Sequence, residues 1–139
     1  MKIMSIDYGD VRTGVAVCDK FEMLASPLCV INEIDEDILV EKIMELFDSE
    51  KAEMFVVGLP KNMDGSCGER AQKCIDFANK LKEKSCVDVD MWDERLTTVM
   101  SYQSLNNANV YGKKSKKLVD AVAASTILQG YIDHRKNQH

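Results

Sequence analysis

The chain begins with a short apolar run. "KIMSIDYG" carries Ile3, Met4 and Ile6 up to Asp7 and reads as a strand. "RTGVAVCD" alternates through Val15 and Val17, and "MLASPLCVI" is a third extended run, in which Pro27 marks an edge or a bulge. Links this short permit only antiparallel pairing. The period then changes. "DEDILVEKIMELFDSEKA" puts Leu39, Ile43, Leu46 and Phe47 on one stripe with acids in its first turn, which predicts an amphipathic helix. "EMFVVGLP" is a short strand stopped by Gly58 and Pro60, and "GERAQKCIDFANKLKEK" is a second helix with Ala71, Cys74, Ile75, Ala78 and Leu81 inward. A fifth strand follows at residues 87–92. A helix from about Thr97 to Leu105, a polar loop through Gly112 and a last helix from about Lys116 to His134 complete the set.

Strand-helix-strand-helix order requires crossovers, hence parallel strands. The expectation is an α/β fold: a five-stranded mixed sheet flanked by helices, with an antiparallel meander of strands 1–3 and then parallel strands. No repeat, low-complexity tract or linker interrupts residues 1–139, which read as one domain.

Composition narrows the class. The chain has 139 residues, 45% hydrophobic and 29% charged, the profile of a soluble globular protein. A chain of this size buries about two-thirds of its unfolded surface without staples, and no stretch approaches the roughly 20 apolar residues of a membrane span. The five cysteines are odd in number and form no C-x-x-C pair, and the two histidines, His134 and His139, lie in the tail. Buried free thiols in a reducing cytoplasm are therefore expected, not disulfides or structural zinc. Net charge of −5 disfavours nucleic acid on average. Yet "GKKSKK" gathers Lys113, Lys114, Lys116 and Lys117 in five positions, either a solvated loop or a phosphate-binding run.

The acids carry the chemistry. Asp120 falls on the stripe of Ala124, Ile127, Leu128 and Tyr131, the core face of the last helix. A buried, unpaired carboxylate there is costly, although an acid near a helix start is also favoured by the dipole. Asp7 ends the first strand, and ligand sites of α/β sheets gather beyond the carboxyl ends of strands. If the 87–92 strand runs beside strand 1, Asp93 and Glu94 emerge at that edge too. Two unit charges about 4 Å apart repel by about 4 kcal/mol at a dielectric of 20, so such a cluster calls for a cation. Hard oxygen ligands select Mg²⁺ or Mn²⁺, and a carboxylate cluster holding two such ions suits in-line displacement at phosphorus. The turns "DYGDVRTG" and "GLPKNMDG" set Gly9 and Arg12, and Lys61, where phosphate could be cradled, although hairpins need glycine anyway. Arg95 is a phosphate clamp or a counter-charge to the adjacent acids. Thr97 and Thr98 suit a helix cap, and Trp92 suits the core.

"DYGDVRTGVAVCD", "VVGLPKNMDGSCGERA", "DERLTT" and "DAVAASTILQGYID" together resemble the YqgF family, also called RuvX, of the ribonuclease H-like superfamily. The resemblance spans nearly the whole chain. It implies a ribonuclease H-like fold and a metal-dependent nuclease site built from Asp7, the Asp93/Glu94 pair and Asp120. It implies as function the 5′-end maturation of pre-16S ribosomal RNA, with Holliday junction resolution as the older assignment. Resolvases of the RuvC kind carry another acid three residues after the helix Asp; here that position is Ala123.

The leading expectation is thus a Mg²⁺- or Mn²⁺-dependent nuclease of structured RNA, with precursor rRNA and pre-ribosomal particles as partners, acting as a monomer or weak homodimer. A junction-resolving DNA nuclease and a non-catalytic binding module of ribosome assembly stand beside it. An actin-like phosphotransferase also starts from an Asp-x-Gly turn, but needs two such domains.

Overall fold

The computed structural model describes residues 1–61, 67–94 and 113–137. Five strands form one sheet: β1 (Ile3–Asp7), β2 (Arg12–Cys18), β3 (Ala25–Asn32), β4 (Met54–Leu59) and β5 (Val89–Asp93). Three helices flank it among the described residues: α1 (Glu36–Glu50), α2 (Glu69–Ser85) and α3 (Lys113–Asn137). The order across the sheet is β3-β2-β1-β4-β5. β1 to β3 pair antiparallel, and β4 and β5 are parallel to β1. The expected mixed sheet is therefore present. One detail differs: β5 lies beside β4 and not beside β1, because β4 occupies the neighbouring slot.

Pro27 satisfies both expectations at once. It lies on the edge strand β3, where the register against β2 shifts between Val15 and Ala16. A residue without an N–H is tolerated there because it interrupts no continuous ladder.

Strand alternation divides the core in two. Met4, Ile6, Val15, Phe55 and Val57 face α1 and α2 and pack on Leu39, Ile43, Phe77 and Leu81. Ile3, Ala16, Val56 and Trp92 face α3 and pack on Ala124, Ile127, Leu128 and Ile132. Trp92 is core, as its sequence position suggested. On α2, Phe77 takes the inward place that the stripe gave to Ile75, which is only half-buried. Phe77 turns inward because it stacks on Tyr8, ring centroids 4.3 Å apart.

α3 starts at Lys113, earlier than the position near Lys116 read from the pattern. Lys113, Lys114, Lys116 and Lys117 therefore sit on helical backbone and not in a loop. Nothing in the sequence stops the helix from extending back, since lysine is a good helix former. The expected helix from Thr97 to Leu105, and Arg95, Thr97 and Thr98 themselves, fall outside the described residues. The cysteines are all free, but only Cys18 and Cys74 are buried; Cys67 and Cys86 are exposed, and Cys29 is intermediate. Cys86 ends α2 in the left-handed conformation, which places it at a surface turn and not in the core. No described helix is long and apolar enough to cross a membrane.

Candidate active site

The carboxyl ends of β1, β4 and β5, and the amino end of β2, share one edge of the sheet because of the strand directions. Asp7, Leu59, Asp93 and Arg12 end or begin their strands there. Alternation from Ile3 and Ser5 turns Asp7 towards α3. Ser5 fixes that helix by donating its hydroxyl to the Ala124 carbonyl at 2.6 Å.

Two glycines flank Asp7. Gly14 is its partner on β2. On the other side Ile6 pairs with Val57, so Gly58 lies next to Asp7 on β4. A side chain at Gly14 would overlap the Asp120 carbonyl, so its absence lets the backbone of α3 rest directly on the sheet. A Cβ at Gly58 would stand 2.8 Å from Glu94 Oε1 and 2.6 Å from Ile127 Cδ1. Its absence leaves the space into which the Glu94 carboxyl reaches. Gly14 thus admits Asp120's helix, and Gly58 admits Glu94. The carboxylate of β1 lies between them.

The electrostatics follow from this trough. Asp7 is pushed from its ordinary 3.8 to about 7, first by burial, then by the charges of Glu94 and Asp120 and by its hydrogen bond to Glu94. Arg70 opposes the rise. Glu94 is also raised by burial, while its hydrogen bond with Asp7 and the charge of Arg70 hold it lower. The hydrogen bond between the two raises Asp7 and lowers Glu94, so it favours the proton on Asp7, which then donates to the Glu94 carboxylate. Asp120 is not in that hydrogen bond: its Oδ2 meets Arg12 Nε at 3.4 Å.

Asp93 belongs to the strand's other face, since Trp92 before it turns into the core beneath α3. Its charge still raises Glu94. Adjacent acids at this strand end therefore split, one to each face, and Glu94 is the one beside Asp7. Among the described residues no group of three or more His, Cys, Asp or Glu side chains is close enough to hold a metal ion as placed.

The remaining candidates lie around the edge. Arg12 is exposed at the start of β2, with Asp120 as its partner. The Gly9 N–H donates to Thr13 Oγ1 at 3.3 Å within the β1–β2 turn. Lys61 is half-buried just past β4. The lysine run lies in the first two turns of α3, on the backbone that leads to Asp120.

Sequence reasoning missed Arg70. Its guanidinium donates to the Tyr8 carbonyl, lies over the Tyr8 ring at 5.5 Å and meets Asp10 at 3.4 Å. Its charge reaches both Asp7 and Glu94. The signal was present in "GERA", where an arginine opens a helix that follows a parallel strand, but nothing in the pattern ties it to β1.

A family model described as "RuvX: Holliday junction resolvase" matches residues 1–134. The chain belongs to the RuvX family. A RuvX relative from Halothermothrix orenii, named "Putative pre-16S rRNA nuclease", is 45% identical over 139 residues, covering 100% of this chain and 99% of its own. One of the same name from Clostridium botulinum is 38% identical over 133 residues, covering 96% and 97%. Among solved structures, RuvC of T. thermophilus in complex with a Holliday junction substrate superposes with a TM-score of 0.62 at 15% identity, covering 99% of this chain and 96% of that one. That likeness shows the fold, which is ribonuclease H-like.

Proposed function

We propose that the chain is a divalent-metal-dependent nuclease that hydrolyses phosphodiester bonds of structured RNA, acting at the 5′ end of pre-16S rRNA during ribosome biogenesis. The observation that carries the chemistry is the Asp7 trough. Gly14 and Gly58 give up side chains so that Asp120's helix and the Glu94 carboxyl stand beside one strand-end acid. A fold gains nothing in stability from gathering acids in that way. The name of the full-length relatives supports rRNA as the substrate.

The donor chemistry fits a hard cation. Burial first, and then the charges of Glu94 and Asp120, hold Asp7 up at about 7, and those two neighbours offer carboxylate oxygens, the ligands of Mg²⁺ and Mn²⁺. Asp7 and Glu94 would hold the ion, with Asp120 joining once it parts from Arg12; Asp93, on the opposite face, is the outer member. Such an ion, when bound, supplies hydroxide at neutral pH and stabilises a leaving oxygen. The chain's own part is to release the proton that Asp7 donates to Glu94 and to bind phosphate through Arg12, Lys61, Arg95 and the lysine run. Cys74 is no nucleophile here: burial pushes its thiol up to about 11, far from a thiolate. Five free thiols also suit a cytoplasmic protein.

Junction cleavage is the second reading, favoured by the description of the matching family model. Paired cuts across a junction need a symmetric dimer. Precursor 16S rRNA and a four-way DNA junction, offered separately to the protein with Mn²⁺, separate the two. Shortening of the RNA 5′ end with the junction intact supports the proposal. Paired cuts in the junction with untouched RNA refute it.

A further inference from the structure

We infer that Arg70 and Lys73 form an anion site in which the Asp10 carboxylate occupies the place of a backbone phosphate of the nucleic-acid strand. The inference rests on the nuclease reading and names where the strand lies beside the acids.

Arg70 is preorganised. The Tyr8 carbonyl, the Tyr8 ring and Asp10 fix its planar guanidinium, and such a fork matches phosphate as well as carboxylate. Lys73 lies three residues further along α2, on the same face, and its Nζ meets the same Asp10 oxygen at 3.8 Å. The two cations border an open groove of about 330 Å³, lined among the described residues by Glu69, Arg70 and Lys73. With Asp10 in place, two cations face two acids, so a phosphate gains from the groove only when Asp10 leaves. Asp10 is free to leave, being 62% exposed on the β1–β2 turn.

The groove lies at the strand end that carries the acids, on the α2 side of the sheet. Tyr8, whose carbonyl accepts from Arg70, follows Asp7 in the chain, and the charge of Arg70 acts on both Asp7 and Glu94. A strand with one phosphodiester at Asp7 would therefore bring a neighbouring phosphate to Arg70 and Lys73. Exposed ion pairs of the Asp10 kind are weak, so displacing one changes affinity by about two- to fivefold.

The test measures binding of fluorescein-labelled single-stranded RNA by anisotropy in EDTA, across a range of salt. Asp10→Asn should bind about two- to fivefold more tightly than wild type. Asp48→Asn, which removes an equal charge from an exposed position on α1, should change nothing. Lys73→Ala should weaken binding and reduce the log–log salt slope by about 0.7. In the double variant Asp10→Asn/Lys73→Ala, most of the Asp10 gain should vanish. A structural role for Asp10 predicts no tightening. Wild-type binding with Asp10→Asn no tighter than Asp48→Asn, or Lys73→Ala with an unchanged slope, overturns the groove alone. Wild type that binds neither this RNA nor a four-way junction overturns the nuclease reading and the groove with it.

Discussion

Replacing Asp7 by Asn removes a charge that the folded chain holds at a loss. In the unfolded chain Asp7 titrates near its ordinary 3.8; in the folded chain it titrates at about 7. Between these values the folded state keeps a proton that the unfolded state has released. Stability therefore falls as pH rises through that window, and the full cost is present above pH 7. About three pH units at 1.36 kcal/mol each give an upper bound of about 4 kcal/mol. Glu94 accepts a hydrogen bond from protonated Asp7, so the part that a neutral Asn recovers is smaller, about 1–2 kcal/mol. Urea unfolding in EDTA at pH 5 and pH 8 reads it. Asp7→Asn should gain on wild type at pH 8 and lose most of that advantage at pH 5. Saturating Mn²⁺ should reverse the order at pH 8, because the ion binds the folded wild type. An Asp7→Asn protein less stable than wild type at pH 8 in EDTA would refute the reasoning and make Asp7 a structural acceptor.

The flanking glycines should respond differently from each other. Gly14→Ala meets the rigid Asp120 carbonyl and should cost about 1–3 kcal/mol in urea unfolding. Gly58→Ala meets the ends of two side chains, Ile127 and Glu94; it should cost less stability but displace Glu94 and lower the cleavage rate about 100-fold, on the scale of misplaced catalytic groups. Converting Lys113, Lys114, Lys116 and Lys117 together to Ala should weaken RNA binding across sequences. Each phosphate left without its lysine should lower the salt slope by about 0.7 for single strands, and an unchanged slope would mark the run as a solvated helix face.

Much of this architecture was legible in the pattern. Short links forced β1 to β3 into a meander and crossovers forced β4 and β5 parallel. The stripe containing Asp120 identified the core face of α3, where Ala124, Ile127 and Leu128 are buried. What the pattern could not carry was lateral order. Periodicity gives each strand's faces but not its neighbours, so a place for β5 beside β1 could be set only as a condition, and β4 takes that place. For the same reason Asp93 and Glu94 could not be separated until Trp92 showed which face each residue takes. Gly14 and Gly58 read as turn residues, and their part in admitting α3 and Glu94 appears only once strands and helix are stacked. Arg70 stayed hidden because its partners, Tyr8 and Asp10, lie about 60 residues away in sequence.

The most direct test of a metal-dependent nuclease built on Asp7 is precursor 16S rRNA incubated with wild type and with Asp7→Asn, each in Mg²⁺, Mn²⁺ or EDTA, with the RNA 5′ ends mapped. Wild type should shorten the 5′ end in Mg²⁺ or Mn²⁺ and not in EDTA, and folded Asp7→Asn should leave the RNA intact in all three. Cleavage that persists in EDTA, or that Asp7→Asn performs as well as wild type, would contradict the account.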